Sequence, residues 1–151
     1  MDIDKQLGKV FSDAMLEILS VTAGFYHEVL SEESNNDFDE MVGLMHLKGK
    51  MLGLLFVSAK ETDMKVLCSC MTGIPHDDLT RKDVEDALCE LMNMTAGNAK
   101  LRLGNSEYVY DLTSPLLLCG ENMSISTKKR THVISRSIGN GKMSIKIKLV
   151  Y

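Results

Sequence analysis

The stretch from Val84 to Leu103 constrains this chain more than any other, because its apolar residues return at helical intervals from end to end. Val84, Leu88, Leu91, Met92, Thr95, Ala99 and Leu103 gather on one side of a helical wheel, whereas Asp83, Asp86, Glu90, Asn93 and Gly97 gather on the other. Thr80 stands at the N-cap with Asp83 in the capping-box position, so a helix of roughly 24 residues is expected, one face turned to a core and one to solvent.

A three-residue step returns to within about 60° of its starting direction. Glu90 and Asn93 therefore project side by side on the polar face, while Leu91 and Met92 point away. A carboxylate and a carboxamide share one exposed patch. Gly97 continues the row one turn further; glycine inside a helix costs about 1 kcal/mol relative to alanine, and bare backbone there lets another protein approach closely. On spacing alone the same residues read as an ordinary solvated face.

The 151 residues are 44% hydrophobic and 25% charged, enough for one domain over 1–151 with a real core and too few for two of full size. A formal charge of -4 argues against a nucleic-acid binder and for a protein partner. The opening Met1-Asp2-Ile3-Asp4-Lys5 is polar and acidic, unlike a secretion signal, and no segment has the apolar length of a membrane span. A soluble, cytoplasmic chain is expected, with Cys68, Cys70, Cys89 and Cys119 as reduced thiols. Cys68-Ser69-Cys70 lacks the Cys-x-x-Cys spacing, and His27, His46, His76 and His132 make no metal-like pair with it, so no intrinsic metal site is expected. A Gly-x-Ser-x-Gly elbow and a phosphate loop are both missing, which leaves little room for an ordinary hydrolase. Eleven methionines and no tryptophan suggest an adaptable aliphatic core; Met94, beside Asn93, suits either core-edge packing or contact with a partner.

Elsewhere, helical spacing predicts a long first helix from about residue 4 to residue 30, followed by a polar connector at 31–40. Met41 to Leu47 and Met51 to Val57, around Lys48-Gly49-Lys50, form a β-hairpin; Glu61 to Met71 is a short helix stopped by Thr72-Gly73-Ile74-Pro75. Further strands are expected at Leu116 to Cys119, within 124–135, and at 143–151 after an Asn140-Gly141 turn. In the last, Met143, Ile145, Ile147, Leu149 and Tyr151 alternate with Ser144, Lys146, Lys148 and Val150, so one face packs inward and the other is largely charged. This regular strand is also a candidate sheet edge, where Lys146 and Lys148 would equally discourage pairing. Ala14, Glu17, Thr22, Ala23 and Gly24 recur 73 residues later as Ala87, Glu90, Thr95, Ala96 and Gly97, which implies two helix-plus-hairpin halves.

The string Asp86-Ala87-x-x-Glu90-Leu91-x-Asn93-Met94-x-Ala96-Gly97-Asn98-Ala99-Lys100 resembles the signature of the CheX family of chemotaxis phosphatases, relatives of CheC and FliY. The likeness continues through Ser114-Pro115-Leu116-Leu117-Leu118-Cys119-Gly120 and back to Val42-Gly43-Leu44 with Gly49 to Phe56, covering nearly the whole chain. The resemblance implies an α+β, CheC-like/CheX-like pseudo-two-fold domain: a mainly antiparallel sheet packed against two long helices. It implies a phosphatase of two-component signalling that hydrolyses the aspartyl phosphate of a CheY-like response regulator. Asn93 would position the attacking water and Glu90 would pair with the regulator's lysine, with Asp86, Met94 and Gly97 at the partner interface. Mg2+ would come with the regulator, and the protein would form a homodimer through its sheets.

CheC-like proteins often carry Glu-x-x-Asn in both halves; here Ser20 stands where the first amide would be, so one active helix per chain is expected. The alternative is a non-catalytic docking or adaptor domain, similar to flagellar-switch relatives that lack the acid–amide pair; retention of Glu90 and Asn93 argues against it. Lys128-Lys129-Arg130 reads either as a steering patch or as a solubilising run, Lys100 either as a partner contact or as a complement to the helix dipole, and Asn98 as structural, such as a hydrogen bond to a neighbouring loop.

Overall fold

The computed structural model describes residues 2–24, 28–32, 37–50, 53–128, 131–140 and 143–151. Helix α1 (Ile3–Ala23) is followed by strands β1 (Glu28–Glu32), β2 (Met41–Gly49) and β3 (Gly53–Ala59), then by helices α2 (Glu61–Thr72) and α3 (Arg81–Leu103). Strands β4 (Tyr110–Asp111), β5 (Leu116–Cys119), β6 (Val133–Gly139) and β7 (Ser144–Val150) complete the chain.

The sheet is antiparallel throughout and runs β1-β6-β7-β3-β2, with β5 and the short β4 one after the other along the free side of β2. Exchanging the halves, β1 for β5, β2 for β6 and β3 for β7, leaves the order β1-β6-β7-β3-β2-β5 unchanged. That is the pseudo-two-fold design expected from the repeat. Each half also lends a strand to the hairpin of the other, since β1 pairs with β6 and β5 with β2.

One face of the sheet carries Met45, Leu55, Val57, Ile145 and Ile147, all buried against residues such as Phe11 and Met15 of α1 and Leu88 and Leu91 of α3. Apolar burial of this kind stabilises by about 1.5–3 kcal/mol per large side chain, so the two long helices are held by their apolar stripes. Thr80 Oγ1 accepts from the Asp83 N–H at 3.1 Å and Asp83 accepts from the Thr80 N–H at 2.9 Å, the predicted capping box. The bond from the Thr80 backbone, then that from its side chain, holds the Asp83 carboxyl below its ordinary range.

Four expectations are corrected. Helix α1 ends at Ala23 rather than near residue 30, because Gly24 takes a left-handed conformation (φ 70°, ψ 11°) and the chain turns into β1, which claims part of the supposed connector. Within 124–135 the strand begins only at Val133; Ser124 makes an isolated bridge to Asp37. The second face of β7 is not simply charged: Lys146 is half-buried 4.0 Å from Asp39, and Lys148 is fully buried with its ammonium 4.9 Å from the centre of the Phe38 ring. Phe38 lies over Phe56, ring centres 5.1 Å apart, and so covers this side of the sheet. Finally, β7 lies between β3 and β6 and offers no edge.

All four cysteines are free thiols. No described helix is long and apolar enough to cross a membrane. His27, Met51, Lys129, Arg130 and Gly141 lie outside the described residues, and Lys128 is exposed.

Gly43 sets how closely α3 approaches the sheet. A Cβ at this position would overlap Met92 Sδ and lie 3.2 Å from its Cγ, so the fully buried Met92 would have to repack. Gly43→Ala should therefore destabilise the fold by about 1–3 kcal/mol, read as a lower urea midpoint at unchanged slope.

Candidate functional site

With Val84, Leu88, Leu91, Met92 and Ala99 buried on the sheet side, the opposite row of α3 is left in water. Asp86, Glu90 and Asn93 are exposed, and Met94 and Gly97 are half-buried at the border of the same surface. The five residues singled out in the sequence thus share one face of one helix. From Asp86 to Gly97 they span about 16 Å at 1.5 Å per residue. A Cβ on Gly97 would meet nothing within 4 Å, so the space above it is open.

Among the described residues, neither Glu90 nor Asn93 makes a hydrogen bond or an ion pair. Both retain their full donor and acceptor capacity for something outside the chain. Asp86 lies 3.7 Å from the Lys82 ammonium with both side chains largely in water, which ties it only weakly. A cleft of about 400 Å³ opens beside Glu90 between α2 and α3, lined by Met71, Thr72, Asp83, Asp86, Ala87 and Glu90.

The helix that carries the pair is held on both sides of it. The capping box fixes its start, and the fully packed Met92 against Gly43 fixes its depth. The Tyr110 hydroxyl donates at 2.7 Å to the Ala96 carbonyl, one turn after Asn93, from a ring buried and stacked on Phe11 at 6.0 Å. Burial pushes the Tyr110 phenol well above its ordinary value, so it remains a donor. Nothing in the local sequence around Tyr110 announced this role, since its partner lies fourteen residues away on another element.

The first half carries a counterpart of this site in a different state. Across the 73-residue offset burial matches at the positions around the acid: Phe11 and Val84, Ala14 and Ala87, Met15 and Leu88, Leu19 and Met92 are buried, while Glu17 and Glu90, Ser20 and Asn93 are exposed; towards the helix ends it departs, Thr22 and Ala23 being half-buried where Thr95 and Ala96 are buried. Glu17, however, is engaged. It accepts a hydrogen bond from Asn98 Nδ2 at 3.1 Å and another from Arg102, and these two contacts, Asn98 first, hold its carboxyl below the usual range. Asn98 therefore reaches across to α1, and to Arg102 Nε at 2.7 Å, rather than to a loop. Lys100 is drawn 3.3 Å from Asp111 of β4.

An unengaged acid and amide, one turn apart on a braced helix, can grip a cation and orient a polar group. Among the described residues, no group of three His, Cys, Asp or Glu side chains could hold a metal ion.

No curated protein matches the chain by sequence. By structure it is similar to the chemotaxis protein CheX from Desulfovibrio desulfuricans, with a TM-score of 0.81 and 21% identity over 95% of this chain and 97% of that one. It is similar to a CheC-like superfamily protein from Shewanella sp. PV-4, with a TM-score of 0.82 and 23% identity over 99% and 98% of the two chains. It is also similar to a chain of the CheX–CheY–BeF3–Mg2+ complex from Borrelia burgdorferi, with a TM-score of 0.74 and 19% identity over 94% and 96%. The family model described as Chemotaxis phosphatase CheX matches residues 41–138, a span that holds β2, β3, α2, α3, β4, β5, most of β6 and the whole exposed row. The chain belongs to the chemotaxis phosphatase CheX family.

Proposed function

We propose that residues 1–151 act as one cytoplasmic CheX-like phosphatase domain that hydrolyses the aspartyl phosphate of a CheY-like response regulator. The observation that carries this reading is the pair itself: Glu90 and Asn93 are exposed, adjacent and free of partners on a helix held on either side of them. The Borrelia burgdorferi neighbour, a CheX in complex with a CheY, supports the choice of partner.

An acyl phosphate is already activated, so its hydrolysis needs an in-line water, charge neutralisation and fixed geometry more than a strong base. The Asn93 carbonyl accepts a hydrogen bond from that water while its NH2 donates to a phosphoryl oxygen, which aims a water lone pair at phosphorus. The new P–O bond forms as the aspartyl C–O–P bridge breaks on the phosphorus side. The regulator's carboxylate leaves, and the water's proton ends on inorganic phosphate. Mg2+ carried by the regulator supplies neutralisation of the phosphoryl charge.

Glu90 pairs with a lysine of the regulator and sets the register of α3 over the phosphorylated aspartate. Asp86 adds a second negative charge at the mouth of the cleft beside Glu90. Met94 packs at the edge of the contact, and Gly97 lets the regulator close on bare backbone. The domain pairs with a second copy through the outer side of the β5 edge, where Leu116 and Leu118 are 64% and 46% exposed.

Three measurements test this. In a radiolabelled phospho-regulator decay assay, Asn93→Ala should lose on the order of 10²-fold in rate, about 2.7 kcal/mol, with affinity largely kept, and Glu90→Ala should weaken binding as well. Decay as fast with Asn93→Ala as with wild type would remove the mechanism, and binding without accelerated decay would make the domain an adaptor. Gly97→Ala should raise thermal stability, by up to about 1 kcal/mol, yet raise KM for the phospho-regulator. Light scattering should read a dimer that the Leu116→Glu, Leu118→Glu double variant converts to monomer.

A further inference from the structure

We propose that Leu101 is a specificity anchor: an apolar side chain that inserts into an apolar depression on the response regulator, outside the phosphoaspartate crevice, and selects which regulator is accepted. The inference rests on the phosphatase reading above and adds a recognition element to the same helix.

Leu101 is 82% exposed, more than any other large hydrophobic residue described. A lone exposed leucine needs no explanation; its position does. It lies eleven residues after Glu90 on α3, which brings it within about 20° of the Glu90 direction and about 16 Å further along the helix. Between them on that row stand Asn93 and the open space over Gly97. The row thus reads acid, amide, gap, leucine.

The charges flanking Leu101 are turned back on the chain. Lys100 pairs with Asp111 at 3.3 Å, and Arg102 is bound to Glu17 and to Asn98. Leu101 stands between two neutralised cations, so a partner can desolvate it without stripping water from a free charge. Both pairs also hold the last turn of α3 against β4 and α1, so little backbone freedom is left to lose on contact.

The geometry assigns the occupant. A receiver domain with a doubly wound sheet carries its phosphorylated aspartate in the crevice at the carboxyl ends of its strands. With Asn93 in that crevice, Leu101 lies about 12 Å further along the helix axis, beyond the crevice and over the loops around it. Residues inside the crevice must keep the shape that phosphate chemistry demands. The surrounding loops are free to differ, so a contact there discriminates between regulators, whereas Glu90 and Asn93 do not.

The test is steady-state dephosphorylation of the phosphorylated regulator by the full chain with Leu101→Ala, Leu101→Met and Asn93→Ala, together with thermal unfolding and light scattering of each. Leu101→Ala should raise KM about tenfold, equivalent to about 1.4 kcal/mol, at unchanged kcat and unchanged unfolding midpoint, and Leu101→Met should restore most of the loss. The discrimination between a cognate and a non-cognate regulator should narrow by the same factor. An unchanged KM in Leu101→Ala while Asn93→Ala is inactive would overturn the anchor and leave the phosphatase standing. An unchanged KM with a dimer turned to monomer would assign the leucine to a second copy of the chain instead. A wild-type protein that does not accelerate dephosphorylation would overturn the phosphatase reading and the anchor with it.

Discussion

The contact between Met92 and the space left by Gly43 governs much of what this protein presents to solvent. A side chain larger than hydrogen at 43 would collide with the buried side chain of Met92 on α3, and Met92 is the immediate neighbour of Asn93. Because core packing is close to crystalline in density, such a collision cannot be absorbed locally. The depth of one methionine therefore sets the height of the amide above the molecular surface. The Tyr110 bond to Ala96 and the capping box at Thr80 limit the remaining freedom, along the axis and about it. Precision at an exposed site is here a product of burial directly beneath it.

The pseudo-symmetry shows how one scaffold yields a single free acid–amide row. Around the acid both long helices bury and expose matching positions, so the backbone offers two similar platforms, although α1 stops at Ala23 where α3 runs on past Gly97. They diverge through three side chains. Ser20 lacks the reach of an amide, and Asn98 with Arg102 occupies Glu17, which would otherwise stand free as Glu90 does. An engaged carboxylate must break charge-assisted hydrogen bonds before it can bind anything else. Arg102 and Asn98 lie on the helix that also carries the open pair, so the first platform is shaped by residues of the second.

Much of this was legible in the sequence where a local pattern carries the information. The amphipathic period of α3, the Thr80–Asp83 box, the glycine stop at 73 and the inward face of Ile145, Ile147 and Leu149 each depend on residues a few positions apart, and each appears as expected. The strand β1 did not, because Val29 and Leu30 prolong a helical spacing and only pairing with β6, more than a hundred residues away, makes that segment extended. The burial of Lys148 was hidden for the same reason: alternation assigns a face, and only the tertiary fold decides that Phe38 covers it. At the site, the orientation of Glu90 and Asn93 followed from helical geometry alone. Their freedom from partners, the occupation of Glu17 and the support from Tyr110 are properties of contacts between elements.

The exchange of strands between halves has a consequence for biosynthesis. The β1–β3 half leaves the ribosome with its hairpin open on both sides, since β2 awaits β5 and β3 awaits β7. The pair Leu54 and Val150 joins residues 96 positions apart. Vectorial synthesis thus holds the sheet incomplete until β7 has emerged, with unpaired edges exposed to neighbouring nascent chains for that interval.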